Sequence, residues 1–256
     1  MIFITIFYKI GYFLGKEELK KINNSEVKFI LNELINFISY SQFYEDLILF
    51  CIFYDVKNGF YIDVGANDPN HISVTKAFYL RGWNGVNLEP LPDKYEFLLK
   101  ERKRDLNLKI GVGNEKGNFS LFLMGTGSTL SKIYKKRKAK ILNINVNTMS
   151  NICKKYIPKG KIIHFCKIDV EGGEKNVLLG HDFENYRPKV FCIESTIPGT
   201  NIPCFDSWED ILLKNNYSFA FKYKINRYYI DNRIEGLRER FYMINKYIKF
   251  YELLNK

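Results

Sequence analysis

Apolar positions recur with a period near 3.6 through Val27, Phe29, Ile30, Leu31, Leu34, Ile35, Phe37 and Ile38, which predicts a helix with Ser25 at its N-cap. A second helix is expected over 42–54, with Ser41 as N-cap and Glu45 and Asp46 in the first turn, where the helix dipole favours acids. The pattern then changes to short apolar runs. Gly59 to Gly65, Gly85 to Pro90 and Leu106 to Val112 read as buried strands, separated by helices over 74–80 and 93–104. Strand alternating with helix predicts an α/β fold with a doubly wound, mostly parallel sheet.

That rhythm breaks after Val112. Asn118 to Met124 reads as a strand, Gly125 to Thr129 as a flexible loop, and Ile141 to Val146 as an edge strand, with Thr148 capping a short helix to Tyr156. The stretch resembles an insertion replacing an ordinary crossover helix. The rhythm resumes with a strand over 162–169, a helix over 174–179 stopped by Gly180, and a strand over 189–194. A helix over 208–214 and an antiparallel pair, 217–223 with 227–231, close the pattern. The tail from Gly236 is basic, aromatic and partly helical in character.

The composition limits the classes available. The chain has 256 residues, of which 46% are hydrophobic and 16% aromatic, enough to bury a full core. Its formal net charge is +11. The five cysteines are odd in number and form no CxxC pair, which argues against a disulfide framework and for a reducing, cytoplasmic compartment. The three histidines are scattered, and no zinc site can be read from them. The N-terminal run MIFITIFYKIGYFLG is shorter than the roughly 20 residues a membrane span needs. It reads as an element packed on the body or as a shallow interfacial anchor at the inner face of a membrane.

Candidate chemistry lies where strands end in acids. Asp63, Glu89, Asp169 and Glu194 each close a proposed strand, and open α/β sheets bind ligands outside the carboxyl ends of their strands. Each acid taken singly is also explained as a cap on the following helix. The loop Asp63-Val64-Gly65-Ala66-Asn67 has one glycine, so it is neither a dinucleotide fingerprint nor a phosphate loop. Glu89 is placed to accept both ribose hydroxyls. A ribose-reading acid without a phosphate cradle points to S-adenosylmethionine.

The motifs SQFYEDL (41–47), GFYIDVGANDP (59–69), SVTKAFYLRGWNGVNLEPLP (73–92), RKRDLNLKIGVGNEKG (102–117), KIDVEGGEKNVLLGHDF (167–183) and RPKVFCIEST (187–196) together resemble the FkbM-type methyltransferases. These are class I S-adenosylmethionine-dependent enzymes. One departure is Tyr44, where the family usually has glycine in SQxGEDL. The resemblance implies a Rossmann-like, seven-stranded sheet at 41–235, preceded by a helical extension at 1–40 and followed by a basic tail at 236–256. It implies donor binding by Asp63, Gly65, Asn67 and Glu89, with Val112 and Gly113 beside the adenine and Gln42 and Glu45 approaching from the preceding helix. Asp169 is then the expected general base or acceptor-positioning group, supported by Glu171 and Glu194. Those three acids are alternatively Mg²⁺ ligands.

The expected activity is methyl transfer to a hydroxyl of a carbohydrate or glycoconjugate. Nucleic-acid methylation is the alternative raised by the net charge, although no RNA-binding motif is present. A non-catalytic domain that binds membranes or partners through its basic, aromatic ends is the third reading. Ser128 and Thr129 are expected in a loop that closes over donor or acceptor. The basic segment 132–140 reads as a solvated face or an attractor of phosphates. His164 reads as a core residue and His71 as a secondary candidate base.

Overall fold

The computed structural model describes residues 24–124, 127–129 and 140–255. Helices α1 (Asn24–Ile35) and α2 (Glu45–Ile52) precede β1 (Phe60–Val64), α3 (Lys76–Leu80), β2 (Asn84–Leu88), α4 (Pro92–Glu101) and β3 (Leu106–Leu108). Strands β4 (Gly111–Gly113), β5 (Gly117–Met124), β6 (Gly127–Thr129) and β7 (Lys140–Thr148) follow. The chain continues through α5 (Met149–Tyr156), β8 (Ile163–Ile168), α6 (Glu174–Leu179), β9 (Pro188–Glu194) and α7 (Glu209–Lys214). It ends with β10 (Tyr217–Tyr223), β11 (Asn226–Asp231) and α8 (Ile244–Leu254).

The main sheet is seven-stranded, in the order β10-β11-β9-β8-β1-β2-β3. Strand β11 runs antiparallel to both neighbours, and the remaining pairings are parallel. This is the doubly wound, mostly parallel arrangement that the alternation predicts. Side chains alternate faces along each strand. Ile62, Val64, Val86, Leu88, Cys166 and Ile168 enter one apolar core with α5, α6 and Trp208. Tyr61 and Phe165 enter the other, with α1, α2, Trp83 and α8.

The run from Leu106 to Val112 is not one strand. Ile110 N–H donates to the Leu108 carbonyl at 3.0 Å, and this tight turn diverts the chain out of the main sheet. Val112 and Gly113 instead pair with Asn147 and Thr148 of β7 in a second, four-stranded sheet ordered β4-β7-β5-β6. That sheet is the insertion the broken rhythm predicts. Ser128 and Thr129, expected in a loop, form the short strand β6 against β5.

Residues 24–40 and 236–255 meet on the body. Val27, Ile30, Leu31 and Leu34 share one core with Leu237, Phe241, Ile244, Tyr247, Ile248 and Tyr251. The Tyr251 hydroxyl donates to the Phe37 carbonyl and accepts from Ser39 N–H, each at 3.2 Å. Among the described residues, no helix is long and apolar enough to cross a membrane. The N-terminal run 1–15 lies outside the described residues, as does 132–139 of the basic segment.

Candidate functional site

Strands β1, β2, β8 and β9 end side by side, so their terminal acids share one rim. Val64 is in register with both Leu88 and Ile168, and Ile168 with Ile193. The residues that follow Leu88, Ile168 and Ile193 are Glu89, Asp169 and Glu194.

Lys167 ties this rim together. It lies in register with Asp63, on the same sheet face. Its Nζ donates to the Gly65 carbonyl at 2.7 Å and sits 3.4 Å from Asp63 Oδ1 and 3.5 Å from Asp169 Oδ2. Burial disfavours its charge, but Asp169 and Asp63 outweigh that and hold its pKa above the ordinary lysine value. Sequence reasoning missed this residue. Its signal was a lysine inside a wholly buried strand, which must have a partner.

Asp63 is buried, and its Oδ2 accepts from the Thr75 hydroxyl at 2.9 Å. Among the described residues, its Oδ1 is met only by the Lys167 ammonium. Behind it, Arg102 is buried and holds the 69–75 segment by donating to Pro69 O (2.5 Å), Ser73 Oγ (2.9 Å) and Thr75 O (3.3 Å). After β1 the chain turns through Gly65, at φ +77. A Cβ there would lie 2.0 Å from the Asp169 carbonyl oxygen, so both conformation and space require glycine. Asn67 also has positive φ, and its N–H donates to Glu89 Oε2 at 2.8 Å. Glu89 Oε1 accepts from Leu91 N–H at 2.9 Å. Burial raises the Glu89 pKa in spite of those bonds.

The far side of the rim is crowded with acid. Glu194 is 6% exposed, and its carboxyl hydrogen-bonds the Asp169 side chain. Burial, then Asp169, Glu174 and Glu171, push its pKa strongly up. Glu171 is half-buried at φ +55 and is raised to about 7 by burial and by Asp169. Glu174, also missed from sequence, is buried, and its Oε1 accepts from Val170 and Gly172 N–H. Burial raises it to about 7.

Helix α2 brings one further acid. Glu45 Oε1 accepts from Asn226 Nδ2 at 2.6 Å, and Asn226 is the register partner of Glu194. The expected Ser41 cap takes another form. Tyr44 is the N-cap residue, in the left-handed region, while Ser41 Oγ donates to buried Asp46 at 2.6 Å. Asp46 also accepts from Ser39 Oγ and Tyr40 N–H, which fixes the loop that carries Glu45. Gln42 is exposed.

The structure thus gathers Asp63, Gly65, Asn67, Glu89, Asp169, Glu171 and Glu194 at one rim, with Glu45 joined through Asn226. Val112 and Gly113 make other contacts. The Val112 side chain is buried in the core with Val177 and Leu178. Gly113 abuts Gly180, at the end of α6 opposite Glu174, so closely that a Cβ on Gly180 would lie 2.2 Å from the Gly113 carbonyl. The placement at the end of the third sheet strand is therefore corrected, because the turn at Leu108–Ile110 intervenes.

Among the described residues, no group of three or more His, Cys, Asp or Glu is arranged to hold a metal ion. The Mg²⁺ alternative for Asp169, Glu171 and Glu194 finds no support, since they form no such group and Asp169 is paired with Lys167 at 3.5 Å. His164 is a core residue: its Nδ1 accepts from Phe60 N–H at 3.1 Å, and burial lowers its pKa to about 4. His181 is likewise held near 4 by burial, edge-on to Phe183 and Phe191. His71 is exposed. Two clefts lie away from the rim. One of about 270 Å³ is lined by Phe50, Phe53, Arg81 and Trp83, and one of about 450 Å³ by Lys109, Lys116, Asn145 and Lys155.

A family model described as the methyltransferase FkbM domain matches residues 63–219, more than half of the chain. Among solved structures, a methyltransferase FkbM from Methylobacillus flagellatus KT is similar at 12% identity and a TM-score of 0.44. The match covers 78% of this chain and 58% of that one, so the chain spans little more than half that protein's length. No curated protein matches. By the family match, which runs from Asp63 at the rim into β10, this chain belongs to the FkbM methyltransferase family.

Proposed function

We propose that the chain is an S-adenosylmethionine-dependent O-methyltransferase acting on a hydroxyl of a carbohydrate or glycoconjugate. The observation that carries this reading is the rim around Lys167. Asp63 lies buried there, its Oδ1 met by the Lys167 ammonium at 3.4 Å, beside a glycine-enforced turn and a second buried carboxylate, Glu89. The Asp63 carboxylate suits the donor's ammonium group as a further partner beside Lys167, and the free lone pairs of Glu89 suit ribose hydroxyls. When bound, the donor supplies an electrophilic methyl on a sulfonium centre.

The protein's part is to align acceptor and donor and to remove a proton. Alignment of two reactants is worth up to roughly 7–11 kcal/mol of the barrier. A sugar hydroxyl is a weak acid, so a base with a pKa near the working pH helps. Glu171 fits that role best among the expected acids. It is partly exposed and raised to about 7, whereas Asp169 is tied to Lys167. Asp169 and Glu194 then position the acceptor. The acidic rim also disfavours nucleic acid, because carboxylates repel phosphates whatever the net charge of the whole chain. Cytoplasmic placement, with peripheral membrane contact through residues 1–20, is part of the same proposal and rests on sequence alone.

The test is calorimetry with S-adenosylhomocysteine on the wild type, Asp63→Ala and Glu89→Ala, each checked for folding by circular dichroism. Loss of binding in both folded variants is expected. Undiminished binding in both would refute the donor assignment. Mass spectrometry for a gain of about 14 Da, one CH₂, on candidate glycans reports the acceptor.

A further inference from the structure

The cleft of about 450 Å³ carries charge of one sign. It lies where the edge strand β3 passes the chain to the insertion sheet, against α5. Lys109, Lys116 and Lys155 line it, and no acid among the described residues does. None of the three lysines has an ion pair among the described residues, whereas Lys94 and Lys214 each meet a nearby acid. Lys109 and Lys155 hold their ammonium groups over the Tyr95 and Tyr156 rings, 5.6 and 4.8 Å from the centroids. Such contacts orient a cation without neutralising it. Like charges around one concavity repel, and a cleft of one sign with apolar walls, here Leu108, Ile110 and Ile152, concentrates ions of the other sign.

A row of side-chain amides is the second observation. Asn118 of β5 and Asn145 of β7 are cross-strand partners, so they share a sheet face, and Asn147 follows two residues on. Ile144 and Val146, between and before them, join the small core with Leu121. Asparagine is depleted in strands, so three at one cleft are not explained by strand propensity. Asn147 Oδ1 accepts from Thr148 N–H at 2.9 Å and Asn151 Nδ2 at 3.0 Å, which fixes the amide and leaves its Nδ2 as a donor. An amide both donates and accepts, as reading a hydroxyl requires.

We propose that this cleft binds a phosphorylated sugar, its phosphate against Lys109, Lys116 and Lys155 and its hydroxyls on the asparagine amides. A phosphate brings about −1.5 to −2 charges at pH 7 and three acceptor oxygens, which answers three ammonium groups better than a carboxylate does. The volume falls within the roughly 300–1,000 Å³ of small-molecule sites, more than a phosphate alone needs. None of the rim acids lines this cleft, so the phosphate is kept apart from carboxylates that would repel it. Binding here goes beyond the methyl-transfer reading and does not depend on it.

The test is isothermal titration of the full chain with glucose 1-phosphate, glucose 6-phosphate and uridine diphosphate glucose, set against glucose, inorganic phosphate and uridine diphosphate. At least one sugar phosphate is expected to bind about tenfold or more tightly than its sugar or its phosphate part alone. Lys109→Gln, Lys116→Gln and Lys155→Gln combined should weaken it about tenfold, from about twofold for each partly exposed pair. Lys103→Gln, Lys222→Gln and Lys249→Gln combined remove the same charge elsewhere and should change it by less than about twofold. Asn145→Ala should weaken the sugar phosphate about fivefold and leave inorganic phosphate unchanged. Absence of saturable binding by all three sugar phosphates would overturn the proposal. Equal weakening by the two triple variants, both folded by circular dichroism, would overturn it by assigning the effect to net charge. Inorganic phosphate and uridine diphosphate binding as tightly as their sugar conjugates would overturn the sugar assignment.

Discussion

Substitutions at Tyr44 separate backbone strain from ring packing. Tyr44 sits at φ 60, ψ 25, where a side chain with a Cβ is disfavoured by roughly 1–2 kcal/mol relative to glycine. Its ring offsets this by meeting Tyr251 of α8 edge-on, centroids 5.5 Å apart at 75°. Such a pair contributes about 0.5–1.5 kcal/mol beyond the area it buries. Tyr44→Ala loses the ring and keeps the strain, so a loss of about 2 kcal/mol is expected. Tyr44→Gly loses the same ring but relieves the strain, less about 0.5–1 kcal/mol for the added freedom of the unfolded chain. The glycine variant should therefore be the more stable of the two by about 1 kcal/mol. At a right-handed position the order would be reversed. Urea unfolding followed by far-ultraviolet circular dichroism resolves this, because 1 kcal/mol moves the midpoint by roughly 0.3–1 M for slopes of 1–3 kcal/mol/M. An alanine variant as stable as the glycine variant would refute the left-handed assignment.

Gly65→Ala places a methyl group against the Asp169 carbonyl at a disfavoured φ, so a loss on the order of 3 kcal/mol is expected, together with loss of S-adenosylhomocysteine binding; unchanged thermal unfolding would count against it. Lys167→Met leaves buried Asp63 without its cation and should cost about 3 kcal/mol, of which Asp63→Asn in the same chain should restore part, as chemical denaturation of the single and double variants would show. Raised carboxyl pKa values mean that the folded protein binds protons the unfolded chain has released. Stability should therefore fall as pH rises from about 5 to about 8, through the window set by Glu171 and Glu174 near 7 and by the higher Glu194. Glu194→Gln should flatten that slope in thermal melts, and an unaltered slope would contradict the burial argument.

The main sheet was legible because each of its parallel strands is a short apolar run closed by a turn signal or an acid. The four acids are also distant in sequence and share a rim only through strand register, which makes their meeting a consequence of topology. Other features left no such trace. Leu106, Leu108, Ile110 and Val112 keep a two-residue period across the point where the chain leaves one sheet for another, because each new sheet also needs one apolar face. That concealed the true position of Val112 and Gly113. Lys167 was overlooked because its neighbours made the run look like core, and its partners come from β1 and the loop after β8. Tyr44 was visible as a departure from glycine. Its left-handed backbone and its contact with Tyr251, more than two hundred residues away, depend on tertiary packing. The docking of α8 on the N-terminal helices was hidden for the same reason.

The antiparallel strand β11 has a consequence for biosynthesis. It is the last strand in chain order, yet it lies inside the sheet, between β9 and β10. A nascent chain that has emerged from the ribosome only as far as β10 therefore presents the β9 edge unpaired, with Val190, Phe191, Cys192 and Ile193 along it. An open apolar edge of this kind recruits other chains. Translation arrest or premature termination between Tyr223 and Asp231 should then yield aggregates rather than a shortened soluble protein.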